Sequence, residues 1–294
     1  MRQMVGDSSS GFHRSRIFYV GLSLLVATFV SMLVFAGQSE AQTTVPDFLV
    51  EEGTPPPGAN VPCEPTAARP YPVVLVHGTF ETMDQNWAVL SPQLKEMGYC
   101  VFALNYGNRG LNDIKDSAQE LGVFVDNVLG YTGAEKVSLV GHSQGGMMPR
   151  YWIKNLGGKK KVEDLVGIAP SNYGTELQQA DFQATLGISN PCRACEQQQA
   201  GSKFITKLNR GDDTPGKGSF TQIATDDDEI IIPYTRCFLR GKKRTENITL
   251  QDYNGGLLVT HQNIYNDPFA QQLVFDALAN PGPADPERAF SPVG

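Results

Sequence analysis

The sequence predicts an α/β fold with a mostly parallel central sheet and helices on both faces. Short apolar runs recur along the chain, at residues 73–76, 100–104, 137–140, 165–168, 220–224 and 248–250. Such runs, too short for helices, read as strands. Amphipathic stretches lie between several of them, notably residues 111–129, where apolar residues recur at helical spacing. Strand, helix and strand repeated in this way give a parallel sheet. The composition, 40% hydrophobic, 19% charged and 9% aromatic, is that of a globular domain, and 294 residues can bury a sizeable core.

From the N-terminus, Arg2, Arg14 and Arg16 precede an apolar run over residues 17–36, followed by Gly37-Gln38-Ser39-Glu40-Ala41. A basic start, an apolar stretch and a small-residue end predict a signal peptide over residues 1–41. The run is also long enough to span a bilayer, so a retained anchor over residues 17–36 is the alternative. Both readings place the rest of the chain outside the cytoplasm, secreted or membrane-anchored. Residues 42–71, rich in Pro, Gly and Thr, read as an extended lead-in to a domain over residues 72–294. Within it, residues 171–219 break the strand–helix rhythm. A long stretch with little regular pattern predicts a cap or binding loop, the alternative being a surface excursion without a role.

The net charge of −7 argues against a nucleic-acid partner. Export permits disulfides, and five cysteines leave at least one unpaired or bridged to another chain. Cys192-Arg193-Ala194-Cys195 has redox or zinc spacing. With no second pair and no nearby histidine, it reads as a local disulfide.

The strongest chemical signal is Gly141-His142-Ser143-Gln144-Gly145-Gly146, directly after an apolar run and before a predicted helix. This Gly-x-Ser-x-Gly pattern is a nucleophile elbow, a strand-to-helix turn that exposes the Ser143 hydroxyl. Val74-Leu75-Val76-His77-Gly78-Thr79-Phe80 adds a buried strand ending in His-Gly. This resembles the arrangement in α/β-hydrolases, which implies an oxyanion hole made by the backbone N–H groups of Thr79 and Gln144. His77 is expected to brace this loop rather than titrate. Of four histidines, His13 lies in the export segment, His77 in the oxyanion strand and His142 beside the nucleophile. His261 is therefore the candidate base. The acid must follow a late strand, and Asp226-Asp227-Asp228-Glu229 follows residues 220–224. Position alone does not choose among these carboxylates, and the run also reads as a possible calcium-binding edge.

Over residues 72–278 the chain resembles the small secreted triacylglycerol lipases of actinobacterial type, within the α/β-hydrolase superfamily. The resemblance rests on His77-Gly78-Thr79-Phe80, Asn86-Trp87, Gly98-Tyr99-Cys100-Val101-Phe102-Ala103, the elbow, and Ala169-Pro170-Ser171-Asn172-Tyr173-Gly174-Thr175. Later matches are Ala224-Thr225, Asp228-Glu229, Pro233-Tyr234 and His261 before Asp267-Pro268. It implies an α/β-hydrolase fold with a short cap and selects Asp228 as the acid. It also implies a Cys63–Cys100 disulfide and supports the Cys192–Cys195 one, leaving Cys237 without an assigned partner.

Ser143, His261 and Asp228 would then cleave carboxylic esters through an acyl-enzyme, with no metal or organic cofactor. The expected partner is a lipid or ester substrate, met by a monomer at an oil–water interface. Met147, Met148 and Phe204 fit a long acyl chain or plain core. A short-chain or polyester esterase, or an acyltransferase, would carry the same triad. A non-catalytic binding module is the reading from a different class.

Overall fold

Six strands, all parallel, form one sheet in the order β2-β1-β3-β4-β5-β6. They are β1 (Val73–Val76), β2 (Val101–Leu104), β3 (Val137–His142), β4 (Val162–Ile168), β5 (Ser219–Ala224) and β6 (Thr245–Thr249). The computed structural model describes residues 53–241 and 244–291. The export segment expected over residues 1–41 lies outside the described residues, as do residues 42–52. Among the described residues no helix is long and apolar enough to cross a membrane.

Successive side chains on a strand face opposite ways, and here both directions lead into core. Val74, Val76, Phe102 and Leu104 join one buried cluster, while Val73, Leu75, Val101 and Ala103 join the other. The first cluster is closed by α4 (Ile114–Thr132) and α5 (Gln144–Asn155). The second is closed by α1 (Met83–Trp87), α2 (Leu90–Glu96), α9 (Pro268–Ala279) and α10 (Pro286–Ala289). The tight turn α3 (Gly107–Gly110) joins β2 to α4. Helix α4 buries Ile114, Ala118, Leu121, Val125 and Val128, a stripe of three- and four-residue spacing. The Asp113 side chain accepts from the Lys115 N–H at its start, and Gly133 ends it at φ 67°.

Strands β4 and β6 extend beyond, or sit before, their apolar runs. Strand β4 begins at Val162, and its polar Asp164 is buried with both carboxylate oxygens bonded, to Ser138 (2.8 Å) and Ser219 (2.5 Å). Burial pushes the Asp164 carboxyl up to about 6, against the downward pull of these two hydroxyls. Edge strand β6 has a half-exposed, polar sequence, so its apolar signature is a single Ile248. Its Asn247 exchanges side-chain hydrogen bonds with the Leu239 backbone at 2.9 and 2.8 Å.

The lead-in makes two isolated bridges, Thr66 with Arg69 and Ala59 with Val101 of β2, and Cys63 is disulfide-bonded to Cys100 at the entry to that strand. Cys192 and Cys195 form a second disulfide, with Cα atoms 5.2 Å apart, and Cys237 is free and buried. Residues 171–219 contain three short helices, α6 (Gln179–Thr185), α7 (Arg193–Gln197) and α8 (Lys203–Leu208). Met147 and Met148 are fully buried in the first cluster, so they serve as core rather than as an acyl-chain surface.

Candidate active site

The chain leaves β1 for one edge of the sheet and returns through β3 on the other side of β1, so strand order reverses between them. A crevice opens at the carboxyl ends of strands at such a switch point. The end of β1 supplies the loop 77–80 to it, and the end of β3 supplies Ser143.

Ser143 sits at φ 53°, ψ −120° between β3 and α5, outside the regions that ordinary side chains favour. Its N–H donates to the Ile168 carbonyl at 2.9 Å, and its carbonyl accepts from Gly146 N–H at 3.0 Å. The turn is tight enough that a Cβ on Gly141 would lie 1.9 Å from the Gly145 oxygen. One on Gly145 would lie 2.1 Å from the Val76 oxygen. Glycine is thus a steric requirement at both places.

His261 is 2% exposed, and its Nδ1 lies 2.9 Å from Asp228 Oδ2. Asp228 Oδ1 accepts from the Ile230 and Ile231 N–H groups at 2.9 and 2.7 Å, which fixes the carboxylate. Burial pushes the His261 imidazole down, but the Asp228 charge and hydrogen bond, helped by Glu81 and Glu229, outweigh it and leave it above its ordinary value. The neighbouring acids have other employments. Asp227 accepts from Val259 N–H at 3.2 Å and from Gln251 at 3.0 Å, whereas Glu229 accepts the His261 N–H at 2.8 Å. No group of three or more His, Cys, Asp or Glu among the described residues is arranged to hold a metal ion.

Thr79 and Gln144 are joined directly: Gln144 Nε2 donates to Thr79 Oγ1 at 2.9 Å and to the Gly110 carbonyl at 2.7 Å. Gln198, from the segment after α7, donates to the same Thr79 oxygen at 2.9 Å. Gln144 opens α5, where backbone N–H groups have no intrahelical acceptor and carry the positive end of the helix dipole. His77 is fully buried, stacked on Tyr106 at 4.3 Å, with Nδ1 against the Gly78 carbonyl and Nε2 accepting from the Tyr106 N–H. Burial pushes it down to about 4, despite the raising effect of that carbonyl, so it is neutral.

Ser143 and His261 share a cleft of about 310 Å3 with Thr79, Phe80, Arg109, Leu186 and Tyr265. Arg109, Leu186 and Tyr265 belong to none of the sequence motifs. Arg109 (φ 60°) stacks 4.2 Å over the Phe80 ring and donates to its carbonyl, and Leu186 reaches the cleft from the end of α6. Glu81 was likewise unmarked; it bonds Gly78 N–H at 2.9 Å and His142 at 2.8 Å. A lone acid in a loop gives no local signal, because its partner is 61 residues away.

The profile of the family described as Lipase (class 2) matches residues 70–274. A triacylglycerol lipase of Burkholderia plantarii is 36% identical over 130 residues, 42% of this chain and 35% of the relative. One of Pseudarthrobacter phenanthrenivorans is 37% identical over 122 residues, 40% of this chain and 37% of the relative. The matched stretches thus span little more than a third of the length of these relatives. The crystal structure of Aspergillus fumigatus lipase B superposes with a TM-score of 0.64 at 26% identity, covering 74% of this chain and 54% of that one. Bacillus licheniformis lipase BlEst2 in its propeptide form gives a TM-score of 0.58 at 18% identity, covering 79% and 54%, a likeness of fold alone.

Proposed function

The chain belongs to the class 2 lipase family, and from that premise we propose that it hydrolyses carboxylic esters, triacylglycerols among them, with Ser143 as nucleophile. The observation that carries this is the His261–Asp228 hydrogen bond beside a serine held on a strained elbow, with serine and histidine lining one cleft. His261 takes the Ser143 proton as the hydroxyl attacks the ester carbonyl, and Asp228 stabilises the imidazolium. The N–H groups of Thr79 and Gln144 receive the oxyanion, each contributing about 3 kcal/mol to the transition state. The alcohol leaves with the proton from His261, and water repeats the sequence on the acyl-enzyme. Residues 171–219 act as the cap, since Leu186 lines the cleft and Gln198 bonds Thr79. Two disulfides support export from the cytoplasm.

A second reading, a hydrolase of short soluble esters, is favoured by the cleft itself. At about 310 Å3, with Glu81, Gln85, Arg109 and Gln262 in its lining, it is small and polar for a long acyl chain. A chain-length series of p-nitrophenyl esters together with emulsified triolein separates the two. Cleavage of triolein establishes the lipase. Activity confined to short esters establishes the esterase, and hydrolysis of neither overturns both.

A further inference from the structure

His142, directly before the nucleophile, is 2% exposed, and both of its ring nitrogens meet oxygen atoms. Nδ1 lies 2.8 Å from Glu81 Oε2, and Nε2 lies 3.0 Å from the main-chain carbonyl of His261. A carboxylate and a carbonyl only accept, while a neutral imidazole has a single N–H. Both contacts are satisfied when the pair holds one proton more than a neutral ring and a carboxylate would. The Gly78 N–H, 2.9 Å from the same Glu81 oxygen, favours the carboxylate and so places that proton on the ring.

The surroundings are defined on every side. The rings of His261 and Tyr265 lie 4.9 and 4.7 Å from that of His142, and Asn86 Nδ2 is 3.4 Å from its Nδ1. Asn86 Oδ1 accepts from Gly78 N–H, Glu229 holds the His261 N–H, and Asp228 holds the far side of its ring. His77, neutral, lies on the same loop against the Gly78 carbonyl, and Arg109 shares the cleft. Burial pushes the Glu81 carboxyl up, but the charge and hydrogen bond of His142 outweigh it, with help from His261 and His77, and leave it below its ordinary value.

We propose that Glu81 and a doubly protonated His142 form a strut that positions the His261 main chain against the oxyanion loop. The strut ties together three segments that each carry a reacting group: Gly78 next to Thr79, His142 next to Ser143, and His261 itself. The His261 peptide groups are held from both sides, its N–H by Glu229 and its carbonyl by His142. Glu81 and His142 are positioning residues, and neither exchanges a proton with substrate. This inference rests on the hydrolase reading for its purpose but not for its protonation state.

Nitrogen-15 NMR of the full chain reads that state directly. Both His142 nitrogens should carry protons at the pH of the ester assay, since each faces an oxygen that can only accept. A single neutral tautomer there overturns the proposal, whether or not the protein cleaves esters. Kinetics test the purpose. The longer side chain of His142→Gln can still donate to the His261 carbonyl, whereas His142→Asn reaches only the Glu81 side. On a soluble p-nitrophenyl ester, kcat should fall on the order of 100-fold in His142→Asn, the scale of a misplaced catalytic group. It should fall several-fold less in His142→Gln, with KM unchanged in both. Equal losses in the two variants, or a loss carried by KM, overturn the strut, and if neither variant folds the NMR result alone decides.

Discussion

Two histidine–carboxylate pairs face each other across 4.9 Å, and on one side they are built alike. His261 Nδ1 meets Asp228 at 2.9 Å, and His142 Nδ1 meets Glu81 at 2.8 Å. The second nitrogen separates them. His142 Nε2 is taken by a carbonyl, whereas His261 Nε2 has no hydrogen-bond partner among the described residues and shares the cleft with Ser143. A histidine can act as a base only through a nitrogen that the fold has left free. His77 is the third case. One nitrogen faces a carbonyl and the other accepts an N–H, so its neutral form is satisfied and it braces the loop. Identical side chains thus receive three assignments from what their two nitrogens meet.

The largest effect should come from breaking the reactive pair. Asp228→Asn leaves the geometry in place but favours the wrong tautomer of His261, and kcat should fall by about 10,000-fold. Asp227→Asn, which touches only Val259 N–H and Gln251, should cost less than about tenfold, within the range of ordinary surface changes. Equal losses from the two would reassign the acid.

His77 offers a stability effect of intermediate size. Its folded pKa, about 4, lies below the ordinary 6.5, so the unfolded chain binds a proton that the native state refuses. Stability should therefore fall as pH drops from about 6.5 to about 4 and level off below, by about 3 kcal/mol in all. Urea unfolding across that window measures it, and His77→Gln should reduce the slope by up to one proton. His261 shifts the other way: it is held above its ordinary value and must be neutral to take the Ser143 proton. The acid limb of kcat/KM should then lie above pH 6.5. The same raised pKa gives stability that is fully present below about 6.5 and is lost as pH rises through the folded value. An acid limb at or below 6.5 would mean that Asp228 does not dominate His261.

The sheet was legible in the sequence because strands buried on both faces leave unbroken apolar runs, as in Val73-Val74-Leu75-Val76. Edge strand β6 was read late, at residues 248–250, because one face of an edge strand can be polar. The elbow was legible because its chemistry is local: Gly141, Ser143 and Gly145 must occupy five consecutive positions. His261 followed by elimination. Asp228 did not, since four adjacent acids look alike until the fold gives Asp227, Asp228 and Glu229 different partners, and only the family resemblance singled it out. Met147 and Met148 were open between acyl contact and core because an apolar side chain beside a nucleophile has the same composition in either place. Glu81 and His142 were illegible as a pair, since a contact between residues 61 positions apart has no signature in either neighbourhood.

Fluorophosphonate labelling of the folded protein, with the adduct located by peptide mass mapping, tests the central claim most directly. A single adduct on Ser143 is expected, absent from Ser143→Ala and formed far more slowly in Asp228→Asn. An unlabelled Ser143, or an adduct on another serine, would contradict it.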